Sequence, residues 1–377
     1  MRVLLTGGGT GGHVYPALAI AELIQRNYPG ATVAFVGTEK GIEARLATGE
    51  GYDFYPINIQ GIRRSLSPSN LKTAYLVLTS PQKAKKILLD FRPDLVIGTG
   101  GYVCWPLLRA ASSMGIPTMV HESNAKAGLA VRQLQRRVDV ILANFAETEK
   151  KLSKEGKRKL VRVGNPLRTT LGTLTREQAR AKLGIAENEF FILSFGGSLG
   201  APAVNRVAAM LGRSFVPKHK NVCHTHVGGN RNFENAKQIF AEYGVPTEGS
   251  TELRDYLYDM PIYLTAADLV ISRAGAMTLT EIACVQKPAI LIPYPDAADN
   301  HQYENAKVLA DAGGAVLWEE KQITESLVLE TVERLYAHPE ERAKMSAAMA
   351  KCYESEVEAR IHGEIVRLMG NYEKKKR

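Results

Sequence analysis

The chain has 377 residues, a length that fits two domains, each able to bury a core of its own. Hydrophobic residues make up 45% and charged residues 23%, which excludes a disordered tail, a collagen-like fibre and a small disulfide scaffold. The net charge of +9 is uneven: residues 1–165 hold 23 Lys+Arg against 12 Asp+Glu, and residues 166–377 hold 25 against 27, so the whole excess lies in the first half. Such a surface attracts nucleic acid or anionic lipid.

In chain order, nearly continuous apolar runs recur at Val3–Leu5, Thr32–Val36, Leu95–Ile97, Thr118–Val120 and Val138–Leu142. They suit parallel strands buried on both faces, and helical patterns such as Ala17–Gln25 lie between them. The second half repeats the scheme with Phe190–Phe195, Val222–Val227, Leu269–Ile271 and Ala289–Ile292. The expected architecture is two doubly wound α/β domains facing a cleft. Their boundary is expected at Gly164-Asn165-Pro166, giving domains 1–163 and 164–344. A last helical stretch, about Glu340 to Met369, is expected to run on toward the Lys-Lys-Lys-Arg tail, with about 345–377 packing back on the first domain.

The N-terminus runs straight into glycines without a long apolar segment, so no signal peptide is expected. No run approaches the ~18 apolar residues of a membrane span. Cys104, Cys223, Cys284 and Cys352 have no metal-ligand spacing and fit a reducing cytosol. No metal and no cofactor is expected, and no D-x-D pair occurs.

Three glycine turns each follow an apolar strand and precede a helix: residues 7–12, ended by His13; Gly98–Tyr102; and Gly196–Ala201. Glycine lets the backbone approach an anion, and the helix start offers unpaired N–H groups. Gly7-x-Gly9-x-x-Gly12 formally fits a dinucleotide fingerprint, but the acidic residue expected after the second strand is not clear, Glu39 being the nearest. His13, at the carboxyl end of the first strand, is a candidate general base. In Ser272–Ile282 a fourth strand-turn-helix carries Glu281, whose two oxygens can take both hydroxyls of a ribose. Asp299–Asn305 is a polar cluster suited to a sugar or to a helix cap, and Arg168 lies at the expected hinge.

These segments read GGGTGGHVYPALA (7–19), GTGGYVCWP (98–106), HESN (121–124), VGNPLR (163–168), GGSLGAPAVN (196–205), SRAGAMTLTEIA (272–283) and DNHQYENA (299–306). In order and spacing the chain resembles, over nearly its whole length, the peptidoglycan N-acetylglucosaminyltransferases, which convert lipid I to lipid II. The resemblance implies a GT-B fold of two Rossmann-like domains and an inverting transfer of N-acetylglucosamine from UDP-N-acetylglucosamine to the muramyl 4-hydroxyl of an undecaprenyl-diphosphate-linked muramyl-pentapeptide. It implies that Glu281 holds the ribose, Arg168 and Ser198 the diphosphate, and Gln302 with His301 the sugar. Ala276 would lie near the nucleotide. Thr10, Gly11, Gly12 and Asn124 would reach the donor at the reaction centre, with His13 as base, and Gly100, Gly101 and Tyr102 would meet the acceptor.

The chain departs from the family at Cys104-Trp105, at Ser123, where glutamine is common, and at Ala127, near which proline is common. All three departures lie on the acceptor side. The lipid acceptor implies a peripheral protein on the cytoplasmic face of the cell membrane. The apolar and basic stretch from Arg63 and Arg64 through Leu71, Lys72, Tyr75–Leu78, Lys83, Lys85, Lys86 and Ile87–Leu89 suits an anionic bilayer surface. Cell-wall synthesis proteins are further expected partners. Nucleic acid is not, because aromatic residues are only 7% and no basic-aromatic stacking motif occurs. Two alternatives remain at this point: a related transferase acting on another lipid such as diacylglycerol, and a nicotinamide-dependent oxidoreductase.

Overall fold

The computed structural model describes residues 1–61, 69–167 and 171–376. Arg63, Arg64 and Arg168 lie outside the described residues, as do the side chains of Leu71, Lys72 and Val77. The chain forms two compact units, residues 1–168 with 354–377, and residues 169–353.

The first unit is built on a 7-stranded parallel sheet of β1 (Arg2–Thr6), β2 (Thr32–Gly37), β3 (Asp53–Pro56), β4 (Leu95–Gly98), β5 (Thr118–Glu122), β6 (Val140–Ala143) and β7 (Leu160–Arg162). The strand order is β3-β2-β1-β4-β5-β6-β7. Alternate residues of each strand feed two separate cores. Val3, Leu5, Phe35 and Ile97 meet the helices Gly11–Asn27 and Val357–Lys376 on one face. Leu4, Val36, Val96 and Ile141 meet Ser69–Phe91 and Cys104–Ser113 on the other. Burial on both faces is why these strands are apolar throughout.

The second unit has a 6-stranded parallel sheet of β8 (Phe190–Phe195), β9 (Val222–Val227), β10 (Thr251–Arg254), β11 (Leu269–Ser272), β12 (Ala289–Leu291) and β13 (Ala315–Leu317). Its order is β10-β9-β8-β11-β12-β13, the same winding as the first. Phe190, Ile192, Ile271 and Ile290 pack on the helices Pro202–Ser214 and Glu325–Ala337.

Two readings of the sequence are corrected. The stretch expected as one helix from about Glu340 is two, Pro339–Cys352 and Val357–Lys376, because the chain passes from the second unit to the first at residues 353–354. Val357, Ile361, Ile365 and Leu368 form the stripe that the second helix buries in the first core. The first helix begins ahead of the pattern Ala17–Gln25, at Gly11, so His13 stands in its first turn rather than at the end of a loop.

The second unit is tied below its sheet by a buried cation. Arg180 is fully buried and donates to the carbonyls of Ala266 (3.2 Å), Ala186 (2.7 Å) and Glu189 (3.0 Å), and to Asp268. Asp268 also accepts from Phe191 N (2.8 Å) at the start of β8. Arg180→Ala would leave Asp268 with Arg176 as its cation (3.0 Å) and three carbonyls without their donor, and a stability loss of about 3 kcal/mol is expected. A urea titration that leaves the unfolding midpoint where it is in the parent would contradict this.

Candidate active site

In doubly wound sheets, ligands bind beyond the carboxyl ends of the strands, where the winding reverses. The reversal falls between β1 and β4 in the first sheet, and between β8 and β11 in the second. All the glycine turns singled out above stand at these two points.

In the first unit the turns after β1 and β4 are interlocked. Thr99 Oγ1 donates to His13 O (2.6 Å), and His13 Nδ1 lies 3.1 Å from Thr99 O. A carbonyl only accepts, so Nδ1 carries the hydrogen in the neutral ring and Nε2 holds the lone pair. A side chain at Gly101 would place its Cβ 2.2 Å from Gly8 O, at a φ of +78°, so only glycine fits. Tyr102 lies against Gly9. Burial, then the nearby Glu43 carboxylate, push its hydroxyl pKa up, so it stays a neutral phenol.

Glu43 is a residue the sequence reading missed. It is buried, and it accepts from Thr38 N (2.9 Å), Thr38 Oγ1 (2.6 Å) and Gly9 N (3.3 Å). From sequence alone it is one more glutamate near a helix start, where exposure is the ordinary state. Its position decides against a nicotinamide cofactor here. Glu39 is exposed, and the carboxylate after β2 is turned into the glycine loop, on an amide that a diphosphate would need.

The HESN segment closes on itself at the end of β5. Glu122 accepts from Asn124 N (3.0 Å), Asn124 Nδ2 (3.0 Å) and Gly128 N (2.7 Å), which sets the Asn124 side chain. His121 Nε2 lies 2.9 Å from Gly164 O, and burial lowers its pKa to about 4, so this histidine is neutral and structural. Two of the departures from the family sit here without strain. Ser123 is buried with Oγ 3.4 Å from His121 Nδ1, and Ala127 is fully buried. Cys104 is buried too, its Sγ 3.0 Å from Gly101 O, and burial pushes its thiol up to about 12.

In the second unit three adjacent strands deliver the remaining residues. After β8, Ser198 is exposed in the turn ahead of the helix Pro202–Ser214. After β11, Ala276 opens the helix Ala276–Cys284, on which Glu281 lies. After β12, His301 and Gln302 open the helix His301–Asp311. Gln302 Oε1 accepts from Tyr294 N (3.0 Å), which leaves its NH2 group to donate, and His301 Nδ1 is turned back on Ala298 O (2.7 Å). Arg273, a further residue missed, joins the last two turns. It pairs with Glu320 (2.5 Å) and donates to the carbonyls of Ile292 and Pro293, both at 3.1 Å. Asn305 Nδ2 donates to Ala274 O (3.3 Å) and completes the tie. Glu281 differs from all of these: its carboxylate makes no hydrogen bond or ion pair within the described residues, and burial raises its pKa to about 7.

Comparison with known proteins fits this geometry. Residues 3–143 match the glycosyltransferase family 28 N-terminal domain and residues 191–361 the glycosyltransferase family 28 C-terminal domain, so fold and site define a two-domain α/β glycosyltransferase. The UDP-N-acetylglucosamine--N-acetylmuramyl-(pentapeptide) pyrophosphoryl-undecaprenol N-acetylglucosamine transferase of Caldanaerobacter subterraneus subsp. tengcongensis is 41% identical over 90% of this chain and 92% of its own. The enzyme of the same name from Listeria monocytogenes serovar 1/2a is 39% identical over 89% and 90%. The crystal structure of Acinetobacter baumannii MurG superposes with a TM-score of 0.77 at 29% identity, covering 97% of this chain and 99% of that one. The chain belongs to this family of N-acetylglucosamine transferases.

Removing the buried Glu43 carboxylate would take the acceptor from the Thr38 and Gly9 amides and from the Thr38 hydroxyl. Glu43→Ala is expected to destabilise the first unit by about 2–4 kcal/mol, with Glu43→Gln recovering part of the loss. Hydrogen exchange at Thr38 and Gly9 would report it, and unchanged protection in the alanine variant would contradict the assignment.

Proposed function

We propose that the chain moves N-acetylglucosamine from UDP-N-acetylglucosamine to the 4-hydroxyl of the muramyl residue of lipid I, giving lipid II. The observation that carries the donor assignment is Glu281, a recessed carboxylate with no donor among the described residues, on the helix after β11 at the winding reversal. Two ribose hydroxyls are what such a group lacks. Ser198 and the amides of the turn after β8 take the diphosphate, with Arg168 as the cation. Gln302, with His301 beside it, takes the sugar, and Ala276 lies against the nucleotide.

In this reading His13 is the base. Its Nε2 lone pair takes the proton of the muramyl hydroxyl as that oxygen bonds to the anomeric carbon, and the bond to UDP breaks with its electron pair leaving on the β-phosphate. A single displacement turns the α-linked donor into a β linkage. Thr10, Gly11, Gly12 and Asn124 flank the reaction centre, and Gly100, Gly101 and Tyr102 meet the acceptor.

An undecaprenyl acceptor calls for a peripheral protein at the cytoplasmic face of the membrane. The helix Ser69–Phe91 supports this: it buries Ala84, Leu88 and Phe91 and exposes Tyr75, Leu78 and Leu89 beside Lys83, Lys85 and Lys86. No described helix is long and apolar enough to cross a membrane.

Purified protein given UDP-N-acetylglucosamine and a lipid I analogue should release UDP and form a β-1,4 disaccharide. His13→Ala should slow turnover by roughly 10²–10⁴-fold with UDP affinity kept. UDP release that does not depend on the muramyl acceptor, or product only with diacylglycerol, would move the acceptor to another class.

UDP affinity should also depend on pH through Glu281. Hydroxyl donors favour the charged carboxylate, so binding lowers a pKa that starts at about 7. Affinity should therefore be full above pH 7 and weaken as pH falls below it, by up to roughly tenfold per unit for one proton. Titrations of Glu281→Gln should be weaker throughout and lack this component; an identical profile in that variant would remove Glu281 from the donor site.

A further inference from the structure

The turn after β8 is held from behind by buried polar side chains that the transfer chemistry does not use. Ser194 Oγ, on β8, lies 2.7 Å from His224 Nε2 and 2.8 Å from His226 Nδ1, both on β9. His226 Nε2 lies 3.0 Å from Asn205 Oδ1, on the helix that follows the turn. Asn205 Nδ2 reaches Asn235 Oδ1 (3.2 Å) and Asn232 O (3.5 Å). Asn232 Nδ2 ends the chain, donating to Leu199 O (2.8 Å) and Gly200 O (3.2 Å). Ser194, His224, His226 and Asn205 are essentially inaccessible, and burial lowers both histidines to about 3, so the chain is neutral.

Two further observations give the chain a direction. Asn232 occupies the N-cap of the helix Phe233–Glu242, where asparagine ordinarily caps its own helix, yet its side chain makes no cap bond and reaches the turn after β8 instead. The turns after β8 and β9 also touch backbone to backbone. A Cβ at Gly200 would lie 1.7 Å from Gly228 O, and Asn230 N donates to Ser198 O (3.2 Å). In a trans peptide the N–H points opposite to the carbonyl. Pinning Gly200 O on Asn232 therefore aims Ala201 N–H, at the helix start, away from Asn232. Pinning Leu199 O holds the next peptide with Gly200 N–H on Gly197 O (2.9 Å).

We propose that Asn232, backed by Asn205 and His226, is a positioning residue for the donor diphosphate: it keeps two carbonyls turned away from the phosphates so that the Ala201 amide, at the helix start, faces them. The inference rests on the donor site proposed above. It differs from a role in folding alone because it acts on the phosphate part of the ligand and not on the nucleoside, which Glu281 holds.

The test is to titrate the full chain and Asn232→Ala with UDP and with uridine, which lacks the phosphates. UDP affinity should fall roughly tenfold while uridine affinity stays as in the parent. Asn232→Ser, whose hydroxyl can cap the helix but cannot span to the turn, should show the same split and guards against an alanine variant that folds poorly. Equal losses for both ligands, or no loss for either, would overturn the inference and leave the donor site standing. Failure of the parent protein to bind UDP at all would overturn the donor site and this inference together.

Discussion

The structure depends on one constraint, the crowding of backbone where each sheet reverses its winding. At β1/β4 and at β8/β11 neighbouring parallel strands end side by side and send their chains to opposite faces. Where these turns touch one another they have no room for side chains. Gly101 packs against the Gly8 carbonyl in the first unit, and Gly200 against the Gly228 carbonyl in the second. Close approach of this kind leaves peptide amides as the groups that such a turn can present to a ligand.

What the sequence made legible follows from the same physics. The inner strands are buried on both faces and read as continuous apolar runs. The four strands not anticipated, β3, β7, β10 and β13, are the four sheet edges. Asp-Phe-Tyr-Pro and Thr-Glu-Leu-Arg carry no such run, because an edge strand needs apolar cover on fewer sides. The glycine turns could be read because glycine is scarce for other reasons in such places. The bracing residues could not: Glu43, Arg273, Asn232 and the β9 histidines are types that are exposed in most contexts, and only tertiary placement turns them inward. The start of the first helix was misplaced for a related reason. Gly11 and Gly12 are poor helix formers, and the lock between Thr99 and His13 overrides their propensity.

The two reversal points are braced by different chemistry. Behind the first glycine turn lies a carboxylate, Glu43, hydrogen-bonded to one of the turn's amides. Behind the second lies a neutral chain of amides and imidazoles ending on carbonyls. The first turn therefore has one amide already engaged by a carboxylate, whereas the bracing behind the second turn is neutral, a difference that a glycine count cannot show. Glu281, whose carboxylate has no donor among the described residues, stands in the second unit.

The lock between Thr99 and His13 joins fold to chemistry in one pair of contacts. The threonine hydroxyl holds the His13 carbonyl, and the threonine carbonyl takes the hydrogen of the His13 ring. The first contact secures a helix start that glycine weakens; the second sets which ring nitrogen keeps its lone pair. The backbone of a neighbouring strand thus fixes the tautomer of the His13 ring. Gly100 enforces the arrangement, since a side chain there would place its Cβ 2.7 Å from the ring nitrogen that donates. The glycines after β4 therefore set the orientation and tautomer of the His13 ring through the packing of the two turns on each other.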